Sequence, residues 1–245
     1  MNIVIGTTTL YPEGLSEPRV QMALKMVRAA RELGYRVVVV EDGSSPDVAE
    51  ALGQAEAEVV ARENPGTGMG PGRRQALRLA AEAAGVGGVA FWMEPERYPL
   101  MPFIGQICQP IINGEADLVI VGRKSLASYP KAQQMCEVVG NFNFQLLTGK
   151  PWDVYFGPRA FRSDAVRVFL GYQGEYGDKW DSIFVPVMRA MKEGLRVVEV
   201  RVDFIYPPEQ KELEDKDPTF MAKRIYGLYL LTRASALEAG YRWFD

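Results

Sequence analysis

Four consecutive β-branched residues, Val37 to Val40, constrain the fold of this chain more than any other feature. A short run that is apolar at every position is typical of a strand covered on both faces, as in a parallel α/β sheet. The run ends in the acidic pair Glu41 and Asp42, and turn residues follow at once. Because open α/β sheets bind ligands at the carboxyl ends of their strands, we expect these carboxylates near a binding site.

A second role for this turn is to start the helix that follows it. Ser45 and Asp47 are both residue types that are favoured at helix N-termini. Helix capping does not explain Glu41 and Asp42, because they lie before the turn.

Strands and helices alternate along all 245 residues, a length that suits one α/β domain or two small ones. Besides the valine strand, the patterns predict strands at 2–10, 57–62, 86–93, 116–122, 154–162 and 195–206, and helices at 17–33, 46–52, 100–112, 133–147, 182–192 and 219–239. The last strand alternates charged and apolar residues, which indicates an edge strand with one wet face. We therefore predict a single Rossmann-like α/β domain with a mostly parallel central sheet and helices on both faces.

Composition excludes several classes of function. The net charge of −3 gives no basis for nucleic-acid binding. The chain has no histidine, so any catalysis depends on carboxylates, arginine, lysine, tyrosine or backbone groups. Cys108 and Cys136 have no metal or redox spacing, and we expect a cytoplasmic protein. No apolar run is long enough to span a bilayer, and no signal peptide is evident.

A glycine-rich loop, residues 63–72, leads into a helix that begins with Arg73 and Arg74. Cations are disfavoured at a helix N-terminus, so a bound anion there would offset the cost. The loop is not a P-loop, because no Gly-Lys-Ser/Thr follows it. The alternative is that both arginines lie on a solvated helix face.

Two carboxylates, Glu94 and Glu96, flank Pro95 at the end of another buried strand. In an extended backbone, residues i and i+2 point the same way, so both carboxylates could reach one hard divalent cation. The alternative is an ordinary acidic surface turn.

These motifs, in this order, resemble the family 2 glycosyltransferases, which have the nucleotide-sugar-binding GT-A fold. Residues 39–47 resemble the family's Asp-Asp-Gly-Ser-x-Asp segment, and the start of the arginine helix resembles Gly-x-x-x-Ala-Arg-Asn-x-Ala. Residues 116–123 resemble Ala-Asp-x-Val-x-Gly-x-Arg, and 157–162 resemble Gly-x-Arg-Ala-x-Arg. The resemblance extends over residues 1–206. Glu94-Pro95-Glu96 departs from it, because the family has Asp-x-Asp there.

The resemblance implies roles for specific residues. It places the donor nucleotide-sugar near Thr7, Thr8, Glu13, Glu41, Asp42, Arg74, Glu94 and Gly157. It implies a Mg²⁺ or Mn²⁺ ion on Glu96, with Glu94, although the change from Asp-x-Asp makes metal dependence an open question. It also implies that Asp181 or Asp178 accepts the proton of the acceptor hydroxyl. Asp181 has an alternative role as a helix N-cap, and Glu13 as an ordinary loop residue.

We therefore expect a glycosyltransferase of the hexosyltransferase type that uses a small or soluble acceptor. Residues 1–122 would form the nucleotide-binding half, 123–206 the acceptor half, and 207–245 a tail and helix of one domain. The apolar side of the last helix would dock onto the domain or onto a second subunit, giving a homo-oligomer.

Two other functions are consistent with the sequence. A sugar nucleotidyltransferase uses a related sheet, but residues 6–9 lack the glycine-rich loop with a basic residue that such enzymes carry. A non-catalytic nucleotide-binding protein of the same fold is favoured by the Glu-Pro-Glu segment and by the missing histidine.

Overall fold

The valine run is the buried centre of β2, as predicted, and its residues are covered from both sides. The computed structural model describes residues 2–243. Its strands are β1 (Ile3–Thr9), β2 (Arg36–Glu41), β3 (Glu58–Ala61), β4 (Val89–Trp92), β5 (Leu118–Arg123), β6 (Arg159–Arg162) and β7 (Val197–Val202). They form one sheet in the order β3-β2-β1-β4-β6-β5-β7. Only β6 runs antiparallel to its neighbours in this sheet.

Helices cover both faces of the sheet. They are α1 (Pro18–Glu32), α2 (Pro46–Gln54), α3 (Met69–Ala84), α4 (Ile104–Ile112), α5 (Lys131–Thr148), α6 (Arg167–Leu170), α7 (Asp181–Lys192), α8 (Pro208–Lys216) and α9 (Phe220–Glu238). Val39 belongs to a core with α1 and α4, whereas its neighbour Val38 belongs to a core with α3 and α7. This alternation across β2 confirms the predicted α/β class, and β7 lies at the edge, as its charge pattern predicts.

Several observed elements differ from the predicted ones. The helix predicted over 100–112 begins as part of a 3-10 helix, Pro95–Phe103, and only Ile104–Ile112 is α-helical. The strand predicted over 154–162 is divided: Val154–Phe156 forms a 3-10 turn, and only Arg159–Arg162 joins the sheet. Gly157 causes the break, since its φ of +101° is incompatible with a strand. The polar stretch after β7, for which no helix was predicted, forms α8, because Pro208 can occupy the first turn of a helix.

The strand directions bring the candidate site residues to one edge of the sheet. The carboxyl ends of the parallel strands β1, β2 and β4 lie at this edge, together with the amino end of the antiparallel β6. In the register of β4 and β6, Trp92 is opposite Arg159. Continuing that register by two residues on each side places Glu94 opposite Gly157.

Asp117, in the segment that resembles Ala-Asp-x-Val-x-Gly-x-Arg, has a structural role. Its side chain is 9% exposed and accepts hydrogen bonds from Arg196 Nε and Nη2 at 3.1 and 2.7 Å. It also accepts one from Arg162 Nη1 at 2.5 Å. The hydrogen bonds from Arg196, above all, lower the pKa of Asp117 to about 2.

We expect Asp117→Asn to lower the free energy of unfolding by about 2 kcal/mol at pH 7, since one pKa unit corresponds to about 1.4 kcal/mol. Because the pKa is lower in the folded state, this stabilisation is present above about pH 4 and disappears as the pH falls towards 2. Urea unfolding of both proteins across this range measures it. Asp164→Asn is the matched control: its exposed carboxylate also pairs with Arg162, and we expect a change below about 1 kcal/mol. Equal losses in the two variants would contradict the prediction.

Candidate functional site

A cleft of about 440 Å³ lies beyond the carboxyl ends of β1 and β2. Its walls include Thr8, Tyr11, Arg19, Asp42, Arg62 and Gly68. The acidic turn after β2 and the glycine-rich loop before α3 therefore meet around one cavity, although about 20 residues separate them in the sequence. Thr8 and Asp42 reach this cleft, where the resemblance places the donor.

Arg62 holds the two walls of this cleft together, and the sequence did not single it out. Its side chain is 3% exposed, forms an ion pair with Asp42, and donates hydrogen bonds to Thr67 Oγ1 and to the carbonyl oxygen of Gly68. The available signal was an arginine at the end of a strand predicted beside the acidic turn. Arg62 thus orients Asp42 and fixes the glycine-rich loop at the same time.

The other six residues predicted to bind the donor do not line the cleft: Thr7, Glu13, Glu41, Arg74, Glu94 and Gly157. Successive strand side chains alternate between faces, so Thr7 is buried in the interior while Thr8 faces the cleft. The carboxylate of Glu41 accepts the backbone N–H groups of Gly43 and Ser44 at 2.9 and 2.7 Å, which shapes the turn. Glu13 is exposed on the first loop.

The structure does not support the alternative that Ser45 or Asp47 caps helix α2. Ser45 occupies the N-cap position of α2, but its side chain makes no capping hydrogen bond. The Asp47 carboxylate instead accepts the N–H of Leu15, from the loop after β1, at 3.4 Å.

Glu94 and Glu96 separate, contrary to the extended geometry predicted for this segment. A 3-10 helix begins at Pro95, so residues 94 and 96 no longer lie on one side of an extended chain. Glu96 is 6% exposed and bonds the Arg19 guanidinium, with N–O distances of 2.5 Å. Both carboxylate oxygens of Glu94 are buried without a hydrogen-bond partner, and a Cβ added at Gly157 would lie 3.2 Å from one of them.

The surroundings of Glu94 are cationic. Arg73, Arg97 and Arg159 each lie close enough for the Glu94 charge to favour their charged forms. Burial lowers the pKa of Arg73 to about 10, and the carboxylates of Glu94, Asp181 and Asp178 oppose that shift. A buried carboxylate among several guanidinium groups can bind a cation while the arginines attract the anion that accompanies it.

The helix predicted to begin with Arg73 begins four residues earlier, at Met69, so Arg73 and Arg74 lie in its second turn. Both arginines bind a loop of the protein itself. Arg74 donates two hydrogen bonds to the Asp178 carboxylate, at 2.6 and 2.7 Å, and Gly70 N–H donates to the Asp178 carbonyl oxygen. Arg73 donates to the Lys179 carbonyl oxygen at 2.7 Å and stacks on Trp180. The solvated-face alternative is therefore wrong for Arg73, which is buried. The anion predicted at this helix N-terminus is, in this structure, the side chain of Asp178.

Asp181 stabilises the same loop. Its buried carboxylate accepts the N–H groups of Asp178 and Lys179 at 2.9 and 2.7 Å, and the hydroxyl of Tyr172. It is not an N-cap: α7 begins at Asp181 itself, and the carboxylate binds the preceding loop. Both candidate proton acceptors are thus engaged, Asp178 by a side chain and Asp181 mainly by the backbone.

A second cavity, of about 60 Å³, lies beside Gly157 between α5 and α9, and we call it the α5–α9 pocket. Its polar lining residues are Arg97, Gln133, Glu137, Tyr155, Lys223 and Arg224. Lys223 and Arg224 form ion pairs with Asp217 and Glu214. Within residues 2–243, no carboxylate lies within ion-pair distance of Arg97, and its Nε is buried without a hydrogen-bond partner. The amide oxygen of Gln133 is buried and unpaired as well.

The described residues contain no cluster of three or more acidic, histidine or cysteine side chains suited to a metal ion. None of the helices within 2–243 has the length and apolar character needed to cross a bilayer.

No protein-family profile matches the chain, and no curated protein is similar to it in sequence. Solved structures are similar to it. Glucosyl-3-phosphoglycerate synthase from Mycobacterium tuberculosis, in complex with phosphoglyceric acid, superposes with a TM-score of 0.65 at 14% identity. The match covers 99% of this chain and 81% of that one.

The same enzyme in complex with Mn²⁺, uridine diphosphate and phosphoglyceric acid gives a TM-score of 0.64 at 14% identity, covering 99% of this chain and 80% of that one. Its complex with Mn²⁺, uridine-diphosphate-glucose and phosphoglyceric acid gives 0.63 at 16% identity, covering 99% and 81%. Identities this low establish the fold alone. The chain therefore has the GT-A fold of family 2-like glycosyltransferases, as the ordered motifs of its sequence predicted.

Proposed function

We propose that this protein is a glycosyltransferase that moves a sugar from a nucleotide-sugar to a hydroxyl group of a small acceptor. The observation that carries the proposal is the place of Glu94. Glu94 lies just after β4, and its carboxylate has no hydrogen-bond partner. In the sheet, β4 lies between β1, which ends at the cleft, and β6. Gly157 and the α5–α9 pocket lie just before the start of β6. A donor in the cleft and an acceptor in the pocket would meet beside it.

We assign the cleft to the nucleoside diphosphate of the donor. The Mycobacterium tuberculosis enzyme binds uridine diphosphate and its glucose ester, and the cleft of this chain offers matching chemistry. Asp42 and Thr8 supply oxygen atoms for a base or ribose. Arg74 and the N-terminus of α3 supply charge and N–H groups for the diphosphate.

We assign the divalent metal ion to Glu94, whereas the family resemblance favours Glu96. The Mycobacterium tuberculosis enzyme binds Mn²⁺. A Mg²⁺ ion usually needs only one or two protein carboxylates when substrate phosphates complete its coordination. Glu94 fits this requirement because both of its oxygens lack a partner, whereas Arg19 already neutralises Glu96. A cation bound there would stabilise the negative charge of the departing diphosphate.

We assign the α5–α9 pocket to the acceptor, and its chemistry favours an anionic one. Arg97 is a largely buried cation without an ion-pair partner among the described residues, and an acceptor carboxylate or phosphate would supply one. The structurally similar Mycobacterium tuberculosis enzyme binds phosphoglyceric acid. Gln133 would accept a hydrogen bond from an acceptor hydroxyl.

Two further features bear on the alternatives. A nucleotidyltransferase would need a phosphate-binding loop after β1, but a Cβ at Gly6 would lie 2.7 Å from the Ala76 carbonyl oxygen. This glycine therefore serves helix packing. Cys108 and Cys136 are buried and free, which supports a reducing, cytoplasmic location.

The test measures release of nucleoside diphosphate from UDP-glucose and other nucleotide-sugars, with small hydroxy acids or neutral polyols as acceptors. We expect product with the hydroxy acids and at least about tenfold less with the polyols, since a desolvated ion pair is worth more than about 1.4 kcal/mol. Arg97→Met keeps the aliphatic stem and should raise KM for the hydroxy acid about tenfold or more.

Arg167→Met, which alters an exposed arginine outside the pocket lining, is the matched control and should leave KM unchanged. Nucleotide binding without transfer to any acceptor would support the non-catalytic alternative instead. Equal KM values for Arg97→Met and wild type would remove the anionic acceptor from the proposal.

A further inference from the structure

One side of the α5–α9 pocket is apolar. It is lined by Phe184 and Leu231, which are 3% and 5% exposed and belong to the core beneath α3 and α7. Trp180 packs against the same core, and Leu228 lines the pocket one turn of α9 before Leu231. A hydroxyl group that is buried without a hydrogen-bond partner is unfavourable, whereas buried hydrocarbon is not. A ligand that extends along this side should therefore be apolar there.

Gly227 leaves room on the lining of the pocket. It lies in the middle of α9, and a Cβ added at this position would meet no atom within 4 Å. Glycine destabilises the interior of a helix relative to alanine, and no neighbouring side chain packs closely enough to require it here. The open space beside Gly227 is thus available to a ligand.

The polar side of the pocket lies close to the proposed reaction centre. Arg97 and Glu94 are one turn apart on the 3-10 helix that follows β4, and the Arg97 N–H donates to the Glu94 carbonyl oxygen at 2.9 Å. One turn of such a helix rises only about 6 Å. An acceptor that binds Arg97 through a carboxylate and reacts beside Glu94 should therefore carry its hydroxyl on the adjacent carbon atom.

The pocket is also small. Its volume of about 60 Å³ has room for about four to six atoms of the size of a water molecule. A short acid fits this volume better than one that carries a phosphate group in addition. Two further cations on the lining, Lys223 and Arg224, are already paired with Asp217 and Glu214, so neither of them requires a phosphate.

We infer that the acceptor is a 2-hydroxy acid with a short hydrocarbon substituent, and that Gly227 limits the length of this substituent. The carboxylate binds Arg97, the hydroxyl lies beside Glu94, and the substituent extends along Phe184 and Leu228 towards Gly227. This acceptor differs from the phosphoglyceric acid that the Mycobacterium tuberculosis enzyme binds. The inference rests on the proposed function for the role of the acid as acceptor, but the preference among acids is a binding property that can be measured without turnover.

The test is titration calorimetry of the protein with a series of acids, in the presence of UDP and Mn²⁺. We compare 2-hydroxybutyric acid with glyceric acid, which has the same shape but ends in a hydroxyl group instead of a methyl group. We expect the first to bind about tenfold to 100-fold more tightly, since an apolar pocket discriminates against an added hydroxyl by this order. Phosphoglyceric acid should bind more weakly than 2-hydroxybutyric acid as well.

Gly227→Ala tests the residue that limits the substituent. It should weaken the binding of 2-hydroxybutyric acid by about tenfold or more and leave glycolic acid, which has no substituent, unaffected. Gly53→Ala is the matched control, because Gly53 lies in α2 outside the pocket lining and a Cβ there also meets no atom within 4 Å. Neither substitution should lower the melting temperature, since alanine favours the helix.

Tighter binding of glyceric or phosphoglyceric acid than of 2-hydroxybutyric acid would overturn the inference, and so would a failure of every acid to bind. Equal affinities of Gly227→Ala and wild type for 2-hydroxybutyric acid would overturn the role of Gly227. Release of UDP from nucleotide-sugars is measured in parallel. Acids that bind in the expected order without release of nucleoside diphosphate from any donor would support the preference of the pocket and contradict the proposed transfer of a sugar.

Discussion

Replacing Glu94 with glutamine is expected to lower the rate of sugar transfer by about 100-fold or more while leaving the fold intact. Glutamine keeps the size of the side chain and removes its charge. If Glu94 is the protein ligand of the divalent cation, the variant loses the group that positions that cation against the departing diphosphate. Removing a single electrostatic contributor to a transition state typically costs 10²- to 10³-fold in rate.

The same substitution should change nucleotide binding in a way that identifies the cation. We expect the wild type to bind UDP more tightly with Mn²⁺ than with a chelator, because the diphosphate completes the coordination of the metal. Glu94→Gln should bind UDP equally in both conditions. Titration calorimetry measures both affinities, and thermal melting shows that the variant is folded.

Glu96→Gln is the matched control, two residues further from the strand. Its carboxylate bonds Arg19, so we expect the metal-dependent part of UDP affinity to persist in this variant. A loss of metal dependence in Glu96→Gln but not in Glu94→Gln would reverse the assignment. Equal wild-type affinity with Mn²⁺ and with chelator would remove the metal from the proposed reaction.

The contrast between these two residues shows where prediction from sequence succeeds and where it stops. The position of the acidic segment follows from local patterns: a buried apolar run, its end, and the turn residues after it. The pairing of Arg19 with Glu96 joins residues 77 positions apart, and no local pattern encodes it. The family pattern favours Glu96 as the direct ligand, and only the contacts in the fold favour Glu94.

The rest of the site is likewise divided between residues that local patterns place and residues that only the folded contacts place. The alternation of strands and helices was sufficient to predict the α/β class, the sheet edge that bears the cleft, and the arrival of Thr8 and Asp42 at that edge. It could not separate Thr7 from Thr8, since which face of a strand is covered depends on the packing of α3 and α1. Arg62 was missed because its partners come from two loops that meet only in the folded protein.

Replacing Asp178 with asparagine is expected to have the second large effect. UDP should bind more tightly, while the rate of sugar transfer should fall. Its carboxylate occupies Arg74, the residue that the proposal assigns to the donor diphosphate. A diphosphate that binds Arg74 must displace this carboxylate, so part of its binding energy is used to break the pair. We expect Asp178→Asn to bind UDP about tenfold more tightly, since a bidentate charged pair that is mostly buried is worth about 1–2 kcal/mol.

Once displaced, Asp178 is free to accept the proton of the acceptor hydroxyl. Asp181 is less suited to this step, because its carboxylate is engaged by two backbone N–H groups and by Tyr172. Loss of a general base typically costs 10²- to 10⁴-fold, so Asp178→Asn should transfer sugar at least about 100-fold more slowly. Asparagine also tolerates the left-handed conformation of this residue, whose φ is +56°, so the loop should keep its shape.

Asp181→Asn is the control that distinguishes a catalytic role from a structural one. It weakens the hydrogen bonds that shape the loop, so we expect a lower melting temperature, with no gain in UDP affinity. Calorimetry, single-turnover transfer rates and melting curves of both variants separate these effects. If Asp178→Asn binds UDP more tightly but transfers sugar at an unchanged rate, Asp178 competes with the donor for Arg74 and is not the base. Weaker UDP binding would show that the pair orients Arg74 for the diphosphate instead of competing with it.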